Sequence, residues 1–182
     1  KVTLRTRTPI PRDELLVVLE SLLKAHDALM IRGDDGRYLI INAQTGSGGN
    51  QIAYLDLNLD GAEAVFVTDN FENEFSFVGN VDDRLIFRTN LDAPRGRLVE
   101  VDSGNPGRDN WKELVPESES VLRGASLVGN SLIAVYLKNA YSQVDQFALD
   151  VTLIRKIELP GIGSVVGFVG KANQDDSFYS YS

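Results

Sequence analysis

A repeat of 46 to 47 residues constrains the fold of this chain more than any other feature of its sequence. The apolar strand cores in DGRYLII, DDRLIF, NSLIAVYL and DDSFYSY place Leu39, Leu85, Leu132 and Phe178 at successive spacings of 46, 47 and 46 residues. A fixed period of this length is typical of a β-propeller, in which each repeat forms one blade.

Two further series of strands keep nearly the same step. They are carried by Asp56, Asp102 and Asp150, and by Val67, Leu114 and Leu159. A short apolar run, such as FSFVG or GASLVG, precedes each following core and supplies a fourth strand per unit. Turns such as GSGGN and DAPRG separate the strands, because Gly accepts positive φ and Pro fixes its own φ. We therefore predict a mainly β fold with about three four-stranded antiparallel blades, an open partial β-propeller, at residues 34–182.

Residues 1–33 follow a different pattern. KVTLRT alternates like a strand, the leucines of PRDELLVVLESLLKAHD recur at helical spacing, and ALMI is a short apolar strand. This segment carries six Lys or Arg against four Asp or Glu, whereas the whole chain has a net charge of −8. The pattern predicts a small strand-helix-strand (β-α-β) unit at residues 1–33, separate from the propeller at 34–182.

Composition excludes several classes of site. The chain has no cysteine, which rules out disulfides and Cys-based zinc sites and leaves a cytoplasmic and a periplasmic location equally open. Its negative charge argues against nucleic-acid binding, and no apolar run approaches the roughly 18 residues that membrane insertion requires. The paired aspartates Asp34–Asp35, Asp82–Asp83 and Asp175–Asp176 each precede a strand core, so turn chemistry explains them better than a metal site. We expect no cofactor and no metal.

A Ser-His-Asp hydrolase needs a serine on a tight turn, commonly G-x-S-x-G, and a histidine that accepts its proton. No such serine motif is present, and the one histidine of the chain, His26, falls in the predicted helix. We therefore expect no catalytic residue and no peptidase activity in this chain alone.

DDGRYLIIN, DNFENEFSFVGN, FRTNLDAPRGRLVEVD and NWKELVPESE, in this order, resemble the β-propeller domain of prolyl oligopeptidase. The resemblance implies a seven-bladed propeller that covers a hydrolase domain and restricts entry to short proline-containing peptides. It also implies that the loop after DDGRYLII lies near a substrate pocket. The corresponding residues here are Gly46 and Ser47, for which an ordinary hairpin role is the alternative.

KVTLRTRTPIPRDELLVVLESLLKAHDALM resembles half of the N-terminal periplasmic domain of type II secretion secretins. The two resemblances together suggest a chimera that acts as a noncatalytic structural or interaction protein. The alternatives are the substrate-gating propeller part of a proline-specific serine peptidase whose hydrolase domain is absent from this chain, and a secretion-system assembly module.

Three blades cannot close a ring, and an open stack leaves sheet faces and strand edges bare at both ends. Three coverings are conceivable: the leucine-rich helix of residues 1–33, a second copy of the chain, or the remainder of a longer polypeptide. A homo-oligomer formed through the open blade edges is the corresponding expectation.

Overall fold

The computed structural model describes residues 28–33, 35–46, 48–170 and 176–182. Within these ranges the chain forms fourteen β-strands and one 3-10 helix, Arg108–Asn110. The strand and helix predicted at residues 1–27 lie outside the described residues. No helix in the described part of the chain has the length and apolar character needed to cross a membrane.

The strands form three complete four-stranded sheets and one two-stranded sheet. The first contains β1 (Ala28–Arg32), β2 (Tyr38–Gln44), β3 (Asn50–Asp56) and β4 (Val65–Phe66). The second contains β5 (Phe75–Val81), β6 (Arg84–Thr89), β7 (Arg97–Asp102) and β8 (Lys112–Val115). The third contains β9 (Val121–Val128), β10 (Ser131–Lys138), β11 (Tyr141–Ala148) and β12 (Leu153–Ile157), and the fourth contains only β13 (Val165–Val169) and β14 (Phe178–Tyr181). All pairings are antiparallel and join neighbours in the sequence, which confirms a mainly β fold of propeller blades.

The predicted repeat describes the positions of the strand cores correctly. Leu39, Leu85 and Leu132 are each the second residue of the second strand of their sheets, and Phe178 begins the second strand of the last one. The apolar runs between units, such as FSFVG, form the first strand of the following sheet. The aspartate series breaks at its third member: Asp56 and Asp102 end β3 and β7, but Asp150 lies in the turn beyond β11.

Each sheet packs face to face against the next one. Three buried clusters, one at each junction, include the pairs Ile52 and Leu85, Leu98 and Leu132, and Val144 and Phe168. The side chains alternate between the two faces of each strand, so Leu85 contacts the first sheet while the adjacent Ile86 contacts the third. Complete burial of one such side chain stabilises the fold by about 1.5–3 kcal/mol.

The predicted division between residues 33 and 34 falls within a sheet. ALMI forms β1 as a strand, as predicted, but β1 pairs with β2 from Ala28 opposite Ala43 to Arg32 opposite Leu39. Among the described residues, β1 is thus a strand of the same sheet as β2 to β4. A short apolar strand has no sequence signal that identifies its partner, and the division of the chain into units at residues 1–33 and 34–182 stays a prediction.

Candidate functional site

The predicted substrate-pocket pair lies at the turn between β2 and β3. Gly46 is exposed, has a φ of +66° and would meet nothing within 4 Å if it carried a Cβ. Ser47 lies outside the described residues. The structure therefore places Gly46 at the open tip of a hairpin, and the pocket role of the pair stays a prediction.

The base of this hairpin is closely fitted to the connection between the first and second sheets. The Gly49 N–H donates to the Phe71 carbonyl at 2.9 Å, and the Asn50 N–H donates to the Asn73 carbonyl at 2.9 Å. A Cβ on Gly49 would lie 2.1 Å from the Asn73 carbonyl oxygen. Only glycine fits here, so the approach of the two segments explains one glycine of the GSGGN turn.

The Asn50 side chain connects the two sheets from the same hairpin. Its Oδ1 accepts the Phe75 N–H at 2.6 Å, and its Nδ2 donates to the Phe75 carbonyl at 2.8 Å and to Asn42 Oδ1 at 2.9 Å. Asn50 is buried, so these bonds are shielded from water. In the sequence Asn50 is only the last residue of the GSGGN turn, and no local pattern relates it to Phe75, 25 positions away.

A small recess lies beside this hairpin in the described part of the chain. Its volume of about 60 Å³, between Thr68, Asn73, Leu91 and Trp111, is well below the range of about 300–1,000 Å³ that is typical of small-ligand sites. The Trp111 ring packs edge-on against Phe75 with ring centroids 6.0 Å apart. A peptide side chain does not fit this recess without further residues or movement.

A polar cluster joins the first two sheets at the opposite ends of the strands. Arg37 Nε and Nη2 donate to Asp56 Oδ2 at 3.0 and 2.8 Å, and Nη1 donates to Asp83 of the second sheet. The guanidinium also lies 4.8 Å from the centre of the Tyr38 ring. The sequence contains no signal for this cluster because Arg37 and Asp83 are 46 positions apart, and Asp83 is expected only in a turn before a strand core.

The electrostatics of this cluster favour a structural role. The hydrogen bond from Arg37 lowers the pKa of Asp56, and the same bond raises the pKa of Arg37. Burial raises the pKa of Tyr38 and of Tyr54, whose hydroxyl donates to the Ser103 carbonyl at 2.7 Å. At neutral pH the cluster therefore contains a stable ion pair and two neutral phenols, and none of these pKa shifts moves a group toward neutral pH.

The described residues contain no histidine, since His26 belongs to residues 1–27. In the same described ranges, no group of three or more His, Cys, Asp or Glu side chains is placed to hold a metal ion. The hydroxyl of Ser131 donates to the Val128 carbonyl at 2.7 Å and accepts from Gln146 Nε2 at 2.8 Å, which describes a structural serine.

Comparison with known proteins extends the similarity across almost the whole chain. Residues 8–182 match the model of the prolyl oligopeptidase N-terminal beta-propeller domain. The chain is 29% identical over 171 residues to a prolyl endopeptidase of Elizabethkingia meningoseptica, covering 94% of this chain and 24% of that protein. It is 30% identical over 172 residues to a prolyl endopeptidase of Elizabethkingia miricola, covering 87% of this chain and 24% of that protein. The chain thus spans about a quarter of the length of these curated relatives.

Solved structures agree with the sequence comparison. A chain from a structural and mechanistic study of two prolyl endopeptidases superposes with a TM-score of 0.78 at 29% identity, covering 85% of this chain and 23% of that chain. Prolyl oligopeptidase B from Galerina marginata shares the fold, with a TM-score of 0.75 at 17% identity over 85% of this chain and 22% of that chain. The family match crosses the predicted boundary at residues 33 and 34 without interruption. The secretin resemblance and the chimera hypothesis are therefore not supported.

Proposed function

Because the chain belongs to the family of prolyl oligopeptidase N-terminal β-propeller domains, as the match over residues 8–182 establishes, we propose that it is the noncatalytic, substrate-gating part of a proline-specific serine peptidase. In this proposal the hydrolase domain and the remaining blades belong to the rest of the peptidase. The observation that carries it is the family match over nearly the whole chain together with coverage of only 24% of each relative.

The blade junctions support a gating role. Asn50 ties the first sheet to the backbone of the second at one end of the strands, and Arg37 ties the same sheets at the other end. Apolar contacts fill the space between them. Two blades that are joined at both ends of their strands and packed between them resist separation, because opening them requires breaking several buried contacts together. A barrier of this rigidity excludes large polypeptides.

Within this function, the turn at Gly46 and Ser47 is proposed to border the substrate pocket. Its exposed tip supports this role, since Gly46 leaves space for an approaching chain. The adjacent recess of about 60 Å³ is too small to receive a peptide side chain alone. The pocket is therefore completed by residues of the rest of the peptidase.

A segment exchange tests the proposal. The segment of the Elizabethkingia meningoseptica prolyl endopeptidase that matches this chain would be replaced by this chain, and cleavage of a short and a long proline-containing peptide would be compared. We expect the hybrid to cleave the short peptide and to reject the long one, whereas a version that lacks the segment loses this selectivity. A correctly folded hybrid that cleaves both peptides equally well would contradict the gating role.

The isolated chain provides a second test. We expect no hydrolysis of a chromogenic Gly-Pro amide by the purified protein, because its sequence has no G-x-S-x-G motif that would present a nucleophilic serine to a histidine. Turnover that is abolished by a serine-directed phosphonate would show a catalytic site in this chain and would refute the noncatalytic assignment.

A further inference from the structure

A cleft of about 490 Å³ opens between the second and third sheets. One wall is the connection between β8 and β9, and the other wall is the face of β10, β11 and β12 that looks toward the second sheet. It shares no residue with the Gly46 turn or the Arg37 cluster. Its volume lies within the range of about 300–1,000 Å³ that is typical of small-ligand sites.

The second and third sheets differ at the position of the cleft. Leu85 and Leu132 occupy equivalent positions, so the cross-strand pair of Phe87 and Val99 in the second sheet corresponds to Ala134 and Asp145 in the third. The second sheet fills this place with two apolar side chains that belong to a buried cluster. The third sheet places a small buried residue, Ala134, and a carboxylate, Asp145, there, and of the two Asp145 lines the cleft and gives it a charge.

Asp145 is only 9% exposed, so its carboxylate is largely withdrawn from water. Gln143 Nε2 lies 3.1 Å from each of its oxygens. Lys156 lies opposite on β12, but no Lys or Arg among the described residues forms an ion pair with Asp145. A buried carboxylate is costly without a cation, so this position favours a cationic group from outside the chain.

Tyr136 lines the same cleft. Burial, assisted by the charge of Asp145, raises the pKa of Tyr136 to about 12. The phenol is therefore protonated at neutral pH and can both donate and accept a hydrogen bond. It offers a neutral polar contact beside the carboxylate.

Two cations and an apolar surface lie on the same wall as Asp145, and the facing wall carries Glu117 and Glu119. Lys138 and Lys156 are exposed, and neither forms an ion pair with an acidic side chain of the described residues. Phe147 and Leu153 supply apolar contact from β11 and the start of β12. On the facing wall, Glu117 already accepts the Arg95 N–H at 2.5 Å.

We propose that this interblade cleft binds a short zwitterionic peptide with an apolar side chain. The free ammonium of the peptide lies against Asp145, its carboxylate is held by Lys138 and Lys156, and its apolar side chain packs on Phe147 and Leu153. The arrangement matches one ligand class, because it pairs a buried anion with two cations across an apolar surface. The proposal does not depend on the function proposed above, since every residue it uses lies in the third sheet.

Titration of the ¹⁵N-labelled chain with the dipeptide Phe-Ala tests the site, using N-acetyl-Phe-Ala and Phe-Ala amide as matched probes. We expect amide shifts in β10 and β11, and at least about tenfold weaker binding of each blocked peptide, because a hydrogen bond to a charged group contributes about 1.5–3 kcal/mol. Binding of N-acetyl-Phe-Ala as tight as that of Phe-Ala, or absence of binding by Phe-Ala at millimolar concentration, would overturn the proposal.

Two variants test which side chains bind the ammonium and the carboxylate of the peptide. Asp145→Asn should weaken Phe-Ala to the level of the acetylated peptide, whereas a double change of Lys138→Gln and Lys156→Gln should weaken it to the level of the amide. Asp150→Asn, at an exposed position in the turn after β11, serves as the charge-matched control and should bind like the parent chain.

A double variant, Ala134→Phe with Asp145→Val, copies the apolar pair of the second sheet and should abolish binding. Binding that persists in this folded double variant would refute the assignment of the cleft.

Discussion

The side-chain amide of Asn50 pairs with both backbone groups of Phe75, accepting its N–H at 2.6 Å and donating to its carbonyl at 2.8 Å. The side chain thereby behaves like a strand residue that crosses from the first sheet to the second. This contact is buried and bridges residues 25 positions apart, so it fixes the relative position of two blades and not merely a local turn.

Asn50→Ala is expected to lower the free energy of unfolding by about 2–4 kcal/mol, because it leaves the buried N–H and carbonyl of Phe75 without partners. Asn50→Asp should cost at least as much, because it buries a carboxylate with no cation beside it among the described residues and turns one of its oxygens toward the Phe75 carbonyl and Asn42 Oδ1. Urea denaturation provides the measurement. The exposed Asn58→Ala is the matched control and should stay within about 0.5 kcal/mol of the parent; equal loss in both alanine variants would contradict the bridging role.

Two Gly→Ala substitutions should separate steric from conformational effects. Gly49→Ala places a Cβ 2.1 Å from the Asn73 carbonyl oxygen and should destabilise the fold by about 1–3 kcal/mol, as overpacking does. A Cβ on Gly124 would meet nothing within 4 Å, and its φ is not positive. Gly124→Ala should therefore be neutral or stabilise by up to about 1 kcal/mol. Thermal unfolding of both variants measures the difference, and similar melting temperatures would argue against the close approach.

Acid should weaken the contact between Arg37 and Asp56. The folded-state pKa of Asp56 lies below its usual value of 3.8, so the pair contributes its full stability above pH 3.8 and loses it as the pH falls through the lowered folded-state pKa. We expect the stability difference between the parent and Asp56→Asn to be constant from pH 7 to about pH 5 and to shrink below pH 3.8. Urea unfolding across this pH range measures it. In an Arg37→Met background the pKa of Asp56 should return toward its usual value, and an unchanged acid dependence there would disprove the pairing.

The incomplete last sheet should promote self-association of the isolated chain. Among the described strands, β14 pairs only with β13, and Phe178 and Val166 are 77% and 70% exposed. An unpaired strand edge with apolar side chains favours contact with a second copy. Sedimentation velocity should show association that increases with concentration and that Phe178→Glu reduces. Leu59→Glu, at a residue 62% exposed in the turn after β3, is the control and should leave association unchanged. A parent chain that stays monomeric at all concentrations would contradict this prediction.

The repeat could be predicted from sequence because each blade places the same kind of buried residue at the same position, as Leu39, Leu85 and Leu132 show. The contacts between blades could not. The bonds from Asn50 to Phe75 and from Arg37 to Asp83 join positions that no local pattern relates. The leucine-rich pattern of residues 1–33 suggested a separate unit because helical periodicity describes a segment, but not the sheet that its neighbouring strand joins.

Every complete sheet is built from four strands that follow one another in the chain. Contacts of such short range close small loops, which carry little entropy loss and form rapidly. Each blade can therefore fold as soon as its own strands leave the ribosome. The next blade then packs against its exposed face. During synthesis from the N-terminus, the sheets of the propeller would in this way fold one after another.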